Sequence, residues 1–362
     1  MQNAEYWARR AESRMEAYSQ QSARTARILQ RAYTRAMDSL TEQIGRIYDS
    51  YGKRFGLTPE EARAMLDAPC GYDEYKRLAA VIQTMEEGPE KAALAARASS
   101  SAYAWRVNRL DNLRDGIRAQ TALLAQDTEE KLTEQLRETI RYADGHTAYD
   151  LQRGTGIAWP YDLMDARAVE EILRNPWSGV GFSTRIWRDL GALGTMLDTE
   201  ITQAFMTGQS SRVVARVVAD RMGVGYRQAY RLVRTETAAM AQQAELACYK
   251  KSELDKYRFL ATLDMRTSKV CQEHDGKVYL VKDAKIGDNM PPLHPHCRST
   301  TVPFLGAEEL KERRRAARDP VTGEHVTVPQ DMTYKEWIKL QEDTYGEAAI
   351  QAARKRATSK KT

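Results

Sequence analysis

Apolar residues along the first third of this chain recur at steps of three and four. Leu29, Tyr33, Met37, Leu40, Ile44, Ile47 and Tyr51 form one stripe within a proline-free run over 5–54, the spacing that places side chains on one face of an α-helix. Such a helix is about 70 Å long at roughly 1.5 Å per residue, more than a compact globule needs. The segment therefore predicts an extended arm packed on neighbouring helices or on another chain. Phe55-Gly56-Leu57 ends it, and Thr58-Pro59-Glu60-Glu61 opens the next helix with an N-cap Thr, Pro at the first helical position and Glu at the third. A turn at Ala68-Pro69-Cys70-Gly71 precedes a second helix over 73–86, which Glu87-Gly88-Pro89 breaks. Over 90–142, Leu110, Leu113, Ile117, Leu124, Leu132, Leu136 and Ile140 keep helical spacing and predict one or two further long helices. No strand alternation occurs before residue 145.

Residues 145–195 read differently. Gly145-His146, Gly154-Thr-Gly156, Trp159-Pro160 and Asn175-Pro176-Trp177-Ser178-Gly179 punctuate short helical pieces such as 165–174. Three of the six tryptophans fall here, and tryptophan outside a regular helix marks a packed junction. Trp177, Phe182, Ile186 and Trp187 are the candidates either to pack that junction or to anchor a partner. Helices resume over 190–207, 212–222 and 226–251, the last carrying Arg234-Thr235-Glu236-Thr237. Beyond Asp255 the period shortens: Tyr257 and Phe259, then Lys277-Val-Tyr279-Leu-Val281, alternate like short strands, with Asp275-Gly276 as a turn signal. From Gly306 the chain is polar and charged. It predicts one helix over 334–351, no core of its own and a disordered end.

The fold expected is mainly α, with long extended N-terminal helices, a helical body, a small α+β C-terminal module and a basic, partly disordered tail. Composition divides it into a helical arm and body at 1–144, an irregular junction at 145–195, helices plus a small Cys/His module at 196–305, and the charged tail at 306–362. At 362 residues with 42% hydrophobic content the chain is long enough for two or three domains with real cores. A net charge of +5 is too mild to mark a nucleic-acid protein by composition. The basic excess gathers at Arg313, Arg314, Arg315 and Arg318, and again at Arg354, Lys355, Arg356, Lys360 and Lys361. Residues of this kind contact phosphates by counterion release, or simply keep a tail solvated. No stretch approaches 18 consecutive apolar residues, so none is expected to span a membrane. The N-terminus lacks the apolar region of a signal peptide, and four scattered cysteines point to a reducing compartment.

The densest chemistry lies between residues 264 and 298. Cys271 and His274 are three apart, as are His294 and Cys297, with His296 left over. Two sulfurs and two ring nitrogens at these spacings match a Cys2His2 zinc tetrahedron, with Pro291, Pro292 and Pro295 stiffening the second pair. A module of about fifty residues would gain on the order of 10 kcal/mol of folding energy from such a staple. Alternatively, the four are metal-free loop residues with local hydrogen bonds.

Taken in order, Arg234-Thr235-Glu236, Asp264-Met-Arg266-Thr267, Cys271, Asp275-Gly276, then Pro292-Leu-His294-Pro295-His296-Cys297-Arg298 and a closing Val302-Pro303 resemble the Mu F-like (MuF) domain of phage minor head proteins. Upstream, Tyr6-Trp7-Ala-Arg-Arg10-Ala-Glu12, Trp177-Ser-Gly179 and Phe182-Ser183-Thr-Arg185-Ile186-Trp187 resemble minor capsid proteins of tailed phages infecting Gram-positive bacteria. The resemblance covers about residues 5–305. Many members have cysteine where this chain has Ser268 and Ser299, and a hydrophobic residue where it has His274. His274 would therefore have to replace a lost thiolate if zinc binds.

That resemblance implies a non-enzymatic virion protein. Its place would be the portal vertex or capsid interior, assembled in the host cytoplasm with portal, major head or scaffold proteins as partners. Packaged DNA is a further partner in some relatives, which influence its delivery. Two rivals remain. A metal- or histidine-dependent nuclease would use His294 or His296 with Asp264 or Asp275, but no matching downstream Asn and His set follows. A DNA-binding adaptor would dimerise through the long helices, whose stripe lacks strict heptads. Some members carry toxin enzymes after the module; here only 58 residues follow Phe304.

Overall fold

A computed structural model describes residues 4–55, 58, 60, 80–88, 91, 101–156, 161–206, 209–305, 314–329 and 332–359. Its elements run α1 (Ala4–Phe55), α2 (Ser101–Thr155), α3 (Ala166–Arg174), α4 (Phe182–Met206), α5 (Ser211–Lys251), β1 (Lys256–Leu260), α6 (Lys269–His274), β2 (Val278–Leu280), β3 (Thr300–Pro303), β4 (Arg314–Arg318), β5 (His325–Pro329), α7 (Tyr334–Tyr345) and α8 (Glu347–Ser359). The architecture is mainly α with a small strand module near the C-terminus, as the pattern predicts. Most of the helix expected over 73–86 lies outside the described residues. No helix is long and apolar enough to cross a membrane among the described residues.

The predicted stripes become core. Leu29, Tyr33, Leu40, Ile44 and Ile47 of α1 are buried, as are Leu113, Ile117, Leu124, Leu132, Leu136 and Ile140 of α2. Each apolar face stabilises its helix more than propensity does, because burial yields roughly 25 cal/mol per Å².

Contacts divide the chain into two compact units, and the long helices contribute to both. One unit comprises 27–130 and 183–230. Within it α5 passes without a break through Gly223-Val-Gly225, where the sequence suggested a boundary between two helices. The reason is packing. A β-carbon at Gly225 would lie 2.8 Å from Leu193 Cδ2 and 3.0 Å from Tyr33 Cε1, so this glycine permits close approach rather than ending the helix. Polar pairs sit around the same contact: Arg114 Nε donates to Asp198 at 2.8 Å, and Arg221 forms a two-bond pair with Glu200.

The other unit comprises 1–26, 131–182 and 231–362. Here β1 is the centre of a three-stranded antiparallel sheet, order β2-β1-β3, with Tyr257 opposite Tyr279 on one side and Pro303 on the other. Trp7 and Ala11 of α1, Leu151 of α2, Cys248 and Tyr249 of α5, and Tyr257 and Val302 of the sheet share one hydrophobic cluster. Gly154 belongs to this contact, since a β-carbon there would collide with the Trp7 ring.

A buried ionic cluster crosses the helices of this unit. Arg14 (α1) pairs through Nη1 with Asp150 (α2), and its Nε lies 3.2 Å from Glu245 Oε1 (α5). Tyr18 donates to Glu245 at 2.9 Å, Gln242 donates to its other oxygen at 2.9 Å, and Arg10 completes the set on Asp150. Burial disfavours the Arg14 charge, but Glu245, Tyr18, Tyr249 and Asp150 together more than compensate and the guanidinium is held charged.

Residues 314–329 and 332–359 hold more regular structure than their composition suggests. β4 and β5 form an antiparallel hairpin, Leu263 bridges Ala317, and two helices replace the single predicted one. Their division falls at Gly346, whose φ of 84° suits glycine. Thr333 and Glu336 form a reciprocal capping box at the start of α7. Trp337, Tyr334, Val328 and Ala317 bury against Leu263. The expectation that this region lacks a core is thus corrected. Its few apolar residues are spaced too widely to register as a stripe, but they converge on one residue of the preceding module.

Two predictions follow from this packing. Glu245→Ala should lower unfolding stability by about 3–5 kcal/mol, because it strands the Arg14 charge. Arg46→Ala, which breaks an exposed pair with Glu42, should cost under about 0.5 kcal/mol. Equal urea midpoints for the two variants would refute the role given to the cluster. Trp337→Ala should cost about 3–5 kcal/mol as a buried large-to-small change, and a chain ending at residue 305 should melt lower than the full chain rather than unchanged.

Candidate functional site

The module's first fixed point is Asp275, at the end of α6. Its Oδ1 accepts from Ala261 N and its Oδ2 from Tyr334 N, both at 2.8 Å. One buried carboxylate thereby joins the end of β1 to the start of α7. Gly276 follows at φ 77° and its N–H bonds the Phe259 carbonyl at 3.0 Å. That left-handed turn explains the Asp-Gly pair, although α6 separates the two strands and no two-residue hairpin forms.

Asp264 is the second fixed point. Arg298 grips it with two bonds, Nη1 to Oδ2 at 2.5 Å and Nη2 to Oδ1 at 2.7 Å, while Arg266 N donates at 2.9 Å and Thr267 at 3.1 Å. Burial works against the charged form, yet these donors, Arg298 above all, hold the carboxyl below its usual range. The upstream motif is placed by the same logic. Thr235 Oγ1 accepts from His296 N at 3.2 Å, Glu236 accepts from Trp177 Nε1 at 2.9 Å, and Arg234 donates to Ser19 at 3.3 Å.

Three of the four predicted metal donors come together. Cys271 Sγ lies 3.3 Å from His294 Nε2 and 3.6 Å from Cys297 Sγ, and all three donor atoms fall within 4.8 Å of one another. Ser268 N-caps α6, and its hydroxyl and that of Ser299 both hydrogen-bond Cys271. The Cys297 thiol is held well below its ordinary value, chiefly by a hydrogen bond from Cys271, with His294 adding to it; the Cys271 thiol is pushed up, first by that same bond and then by burial. Two sulfurs and a ring nitrogen at this separation are close enough to hold one metal ion.

His274 is not part of this group. Its Nδ1 pairs with Tyr279 OH at 2.8 Å and its ring packs on Phe259, so the expected fourth ligand faces the aromatic side of the sheet. The two-residue spacing suggested convergence, but α6 ends at His274 and turns its ring away from Cys271. His296 adopts a left-handed φ of 59° and is exposed.

The remaining candidates separate by burial. Phe182 and Ile186 are buried within the fold and Trp177 is half-buried, which removes the first two as partner anchors. Trp187 is 46% exposed, its Nε1 donating to Glu129 at 2.8 Å. Of the basic candidates, Arg318 is exposed on β4, and Arg354, Lys355 and Arg356 are exposed on α8. Arg314 and Arg315 belong to β4, while Arg313, Lys360 and Lys361 lie outside the described residues. Sequence reasoning missed Ser19 and Tyr334 as supports of the motif, and no local pattern points to either.

Residues 195–302 match the family described as Phage Mu protein F like protein. The NAD(+)--arginine ADP-ribosyltransferase EFV of Enterococcus faecalis (strain ATCC 700802 / V583) is 27% identical over 133 residues, 36% of this chain. That match spans only about a quarter of the enterococcal protein, 27% of its length. No solved structure matches. Residues 195–302 are thus similar to the Phage Mu protein F like family.

Because the folded Asp264 titrates below the ordinary carboxylate value near about 3.9, its contribution to stability is present above that pH and is lost as pH falls through the lower folded value. Asp264→Asn should therefore cost about 1–3 kcal/mol at neutral pH and flatten the acid side of the stability profile. An unaltered acid limb in urea melts from pH 2 to 7 would contradict the assignment.

Proposed function

We propose that this protein is a minor head protein of a tailed phage, acting in head morphogenesis at the portal vertex or capsid interior. The match of residues 195–302 to the Mu F-like family carries the reading. The long helices α1 and α2 support it, since they offer extended faces suited to assembly contacts. Partners under this reading are the portal protein and major head or scaffold proteins. Packaged DNA is a further partner, met by the basic residues of β4 and α8, and the protein aids its delivery. Its location is the virion.

A catalytic reading has less support. A nuclease needs carboxylates able to take a proton or a metal, yet both oxygens of Asp275 are taken by backbone N–H groups and both of Asp264 by Arg298. The activity in the enterococcal relative's name describes that protein; its likeness to this chain is confined to about a quarter of its length.

The same reading assigns zinc to Cys271, His294 and Cys297, with the fourth position left to a non-protein donor. The donor set suits zinc, which takes thiolate and imidazole together, and bound metal would supply folding energy to a module with a small core. Native mass spectrometry should find one zinc per chain, lost in Cys297→Ala and kept in His274→Ala. Metal-free protein with an unchanged melting temperature would overturn the zinc assignment and leave the head-protein reading intact.

Co-expression with the portal protein of the same phage should give a complex that co-purifies. Trp187→Ala should reduce incorporation into particles about tenfold or more, as loss of an aromatic anchor does, whereas Cys271→Ala should chiefly lower module stability. Full incorporation of a chain containing only residues 230–305 would refute a docking role for the helical body.

A further inference from the structure

A cleft of about 410 Å³ opens beside the motif, lined by residues of α1, α5, the sheet and the β4–β5 hairpin. Neither the metal candidates nor the head-protein reading accounts for it. Four arginines reach it from separate segments: Arg234, Arg266, Arg298 and Arg318. Their commitments differ. Arg298 is consumed by its two bonds to Asp264. Arg266 stands 3.8 Å from the same carboxylate, beyond hydrogen-bonding distance, and its side chain is 56% exposed. Arg234 donates to a neutral hydroxyl, Ser19. Arg318 Nη2 meets His325 Nε2 at 2.9 Å, which requires the ring nitrogen to accept and the histidine to be neutral there. Among the described residues, three guanidinium groups therefore line one cavity with no carboxylate gripping them in two-bond fashion.

The rest of the lining sets the ligand's shape. Leu260, Ala261, Leu263 and Ala317, each almost wholly buried, form the apolar floor of the cleft beside the partly exposed Met15, and Glu12 and Glu16 of α1 add two carboxylates at its rim. Guanidinium forks match phosphate oxygens in geometry and charge. An apolar surface accepts a flat ring, and carboxylates accept hydrogen bonds from ribose hydroxyls. A polyanion filling the cleft would bring phosphates against Glu12 and Glu16, whereas a compact ligand with one phosphorylated end avoids this. The volume lies within the range of small-molecule sites, about 300–1,000 Å³.

We propose that this cleft binds a nucleoside phosphate, with the phosphate held by Arg234, Arg266 and Arg318 and the base laid on the apolar surface around Leu263. The inference goes beyond the head-protein reading and does not depend on it.

Isothermal titration of the full chain with ADP, GDP, CDP and UDP, each tested separately at up to millimolar concentration, checks it. At least one should bind saturably, one per chain, and binding should weaken about tenfold in Arg266→Ala and again in Arg318→Ala, each losing charge-assisted bonds to phosphate. Both side chains are exposed, so circular dichroism should show both variants folded. Absence of saturable binding by all four nucleotides would overturn the proposal, as would binding that both variants retain in full. Arginine-dependent binding of oligothymidylate without any nucleotide binding would also overturn it, and would assign these arginines to the DNA backbone.

Discussion

The unit that contains the motif is built around one buried guanidinium. Arg14 lies between Asp150 and Glu245, on three different helices, and all three side chains are almost wholly removed from solvent. Apolar stripes alone leave long helices free to slip, because a shift of one turn, about 5.4 Å, brings one set of aliphatic side chains onto another. The ion cluster does not tolerate such a shift. Parting it would leave a charge buried without a partner, at a cost of several kcal/mol. The cluster therefore selects one register of α1, α2 and α5 where hydrophobic packing would accept several.

That register is passed on to the sheet. Gln242, which holds the second oxygen of Glu245, accepts from Thr301 through its own carbonyl at 3.3 Å, and Tyr249 OH lies 3.3 Å from the Thr301 hydroxyl. β3 is thus tied to α5 by side chains, and β1 to β3 by the ladder. From there Asp264 and Asp275 secure the loops on either side of α6. Most motif residues serve this construction: Thr235 supports the His296 backbone, Glu236 holds the loop at Trp177, and Arg298 neutralises Asp264. A motif that looks catalytic in composition is largely a set of loop anchors.

Much of the fold was legible in the sequence, and the reasons for success and failure are physical. The stripes of α1 and α2 are long, so periodicity alone located them, and the change to period two after Asp255 located β1 and β2, whereas β3, β4 and β5 carry no such alternation and were not foreseen. Gly225 misled because a glycine opened for close packing looks the same in sequence as one that ends a helix. The region after Gly306 misled because Ala317, Val328, Tyr334 and Trp337 bury against Leu263, a residue more than fifty positions upstream, and no local window contains both halves of that contact. At the site, Cys271, His294 and Cys297 were legible from spacing, while the orientation of His274 depended on where a six-residue helix stopped.

What distinguishes the cysteine pair from the other motif residues is that its surroundings suit two states. Phe259 and Ala261 pack around Cys271 and Cys297 as they would around any small apolar side chains, which describes a pair of inert buried thiols. Yet Cys271 Sγ lies 3.6 Å from Cys297 Sγ and 3.3 Å from His294 Nε2, and the other ring nitrogen of His294, Nδ1, is paired with the Pro295 carbonyl at 2.8 Å. Because a carbonyl only accepts, that pairing puts a proton on Nδ1, and it turns Nε2 toward the sulfurs. The fold thus brings two buried sulfurs and one ring nitrogen to within 4.8 Å of one another, close enough to hold one metal ion, in surroundings that would equally cover a pair of small apolar side chains.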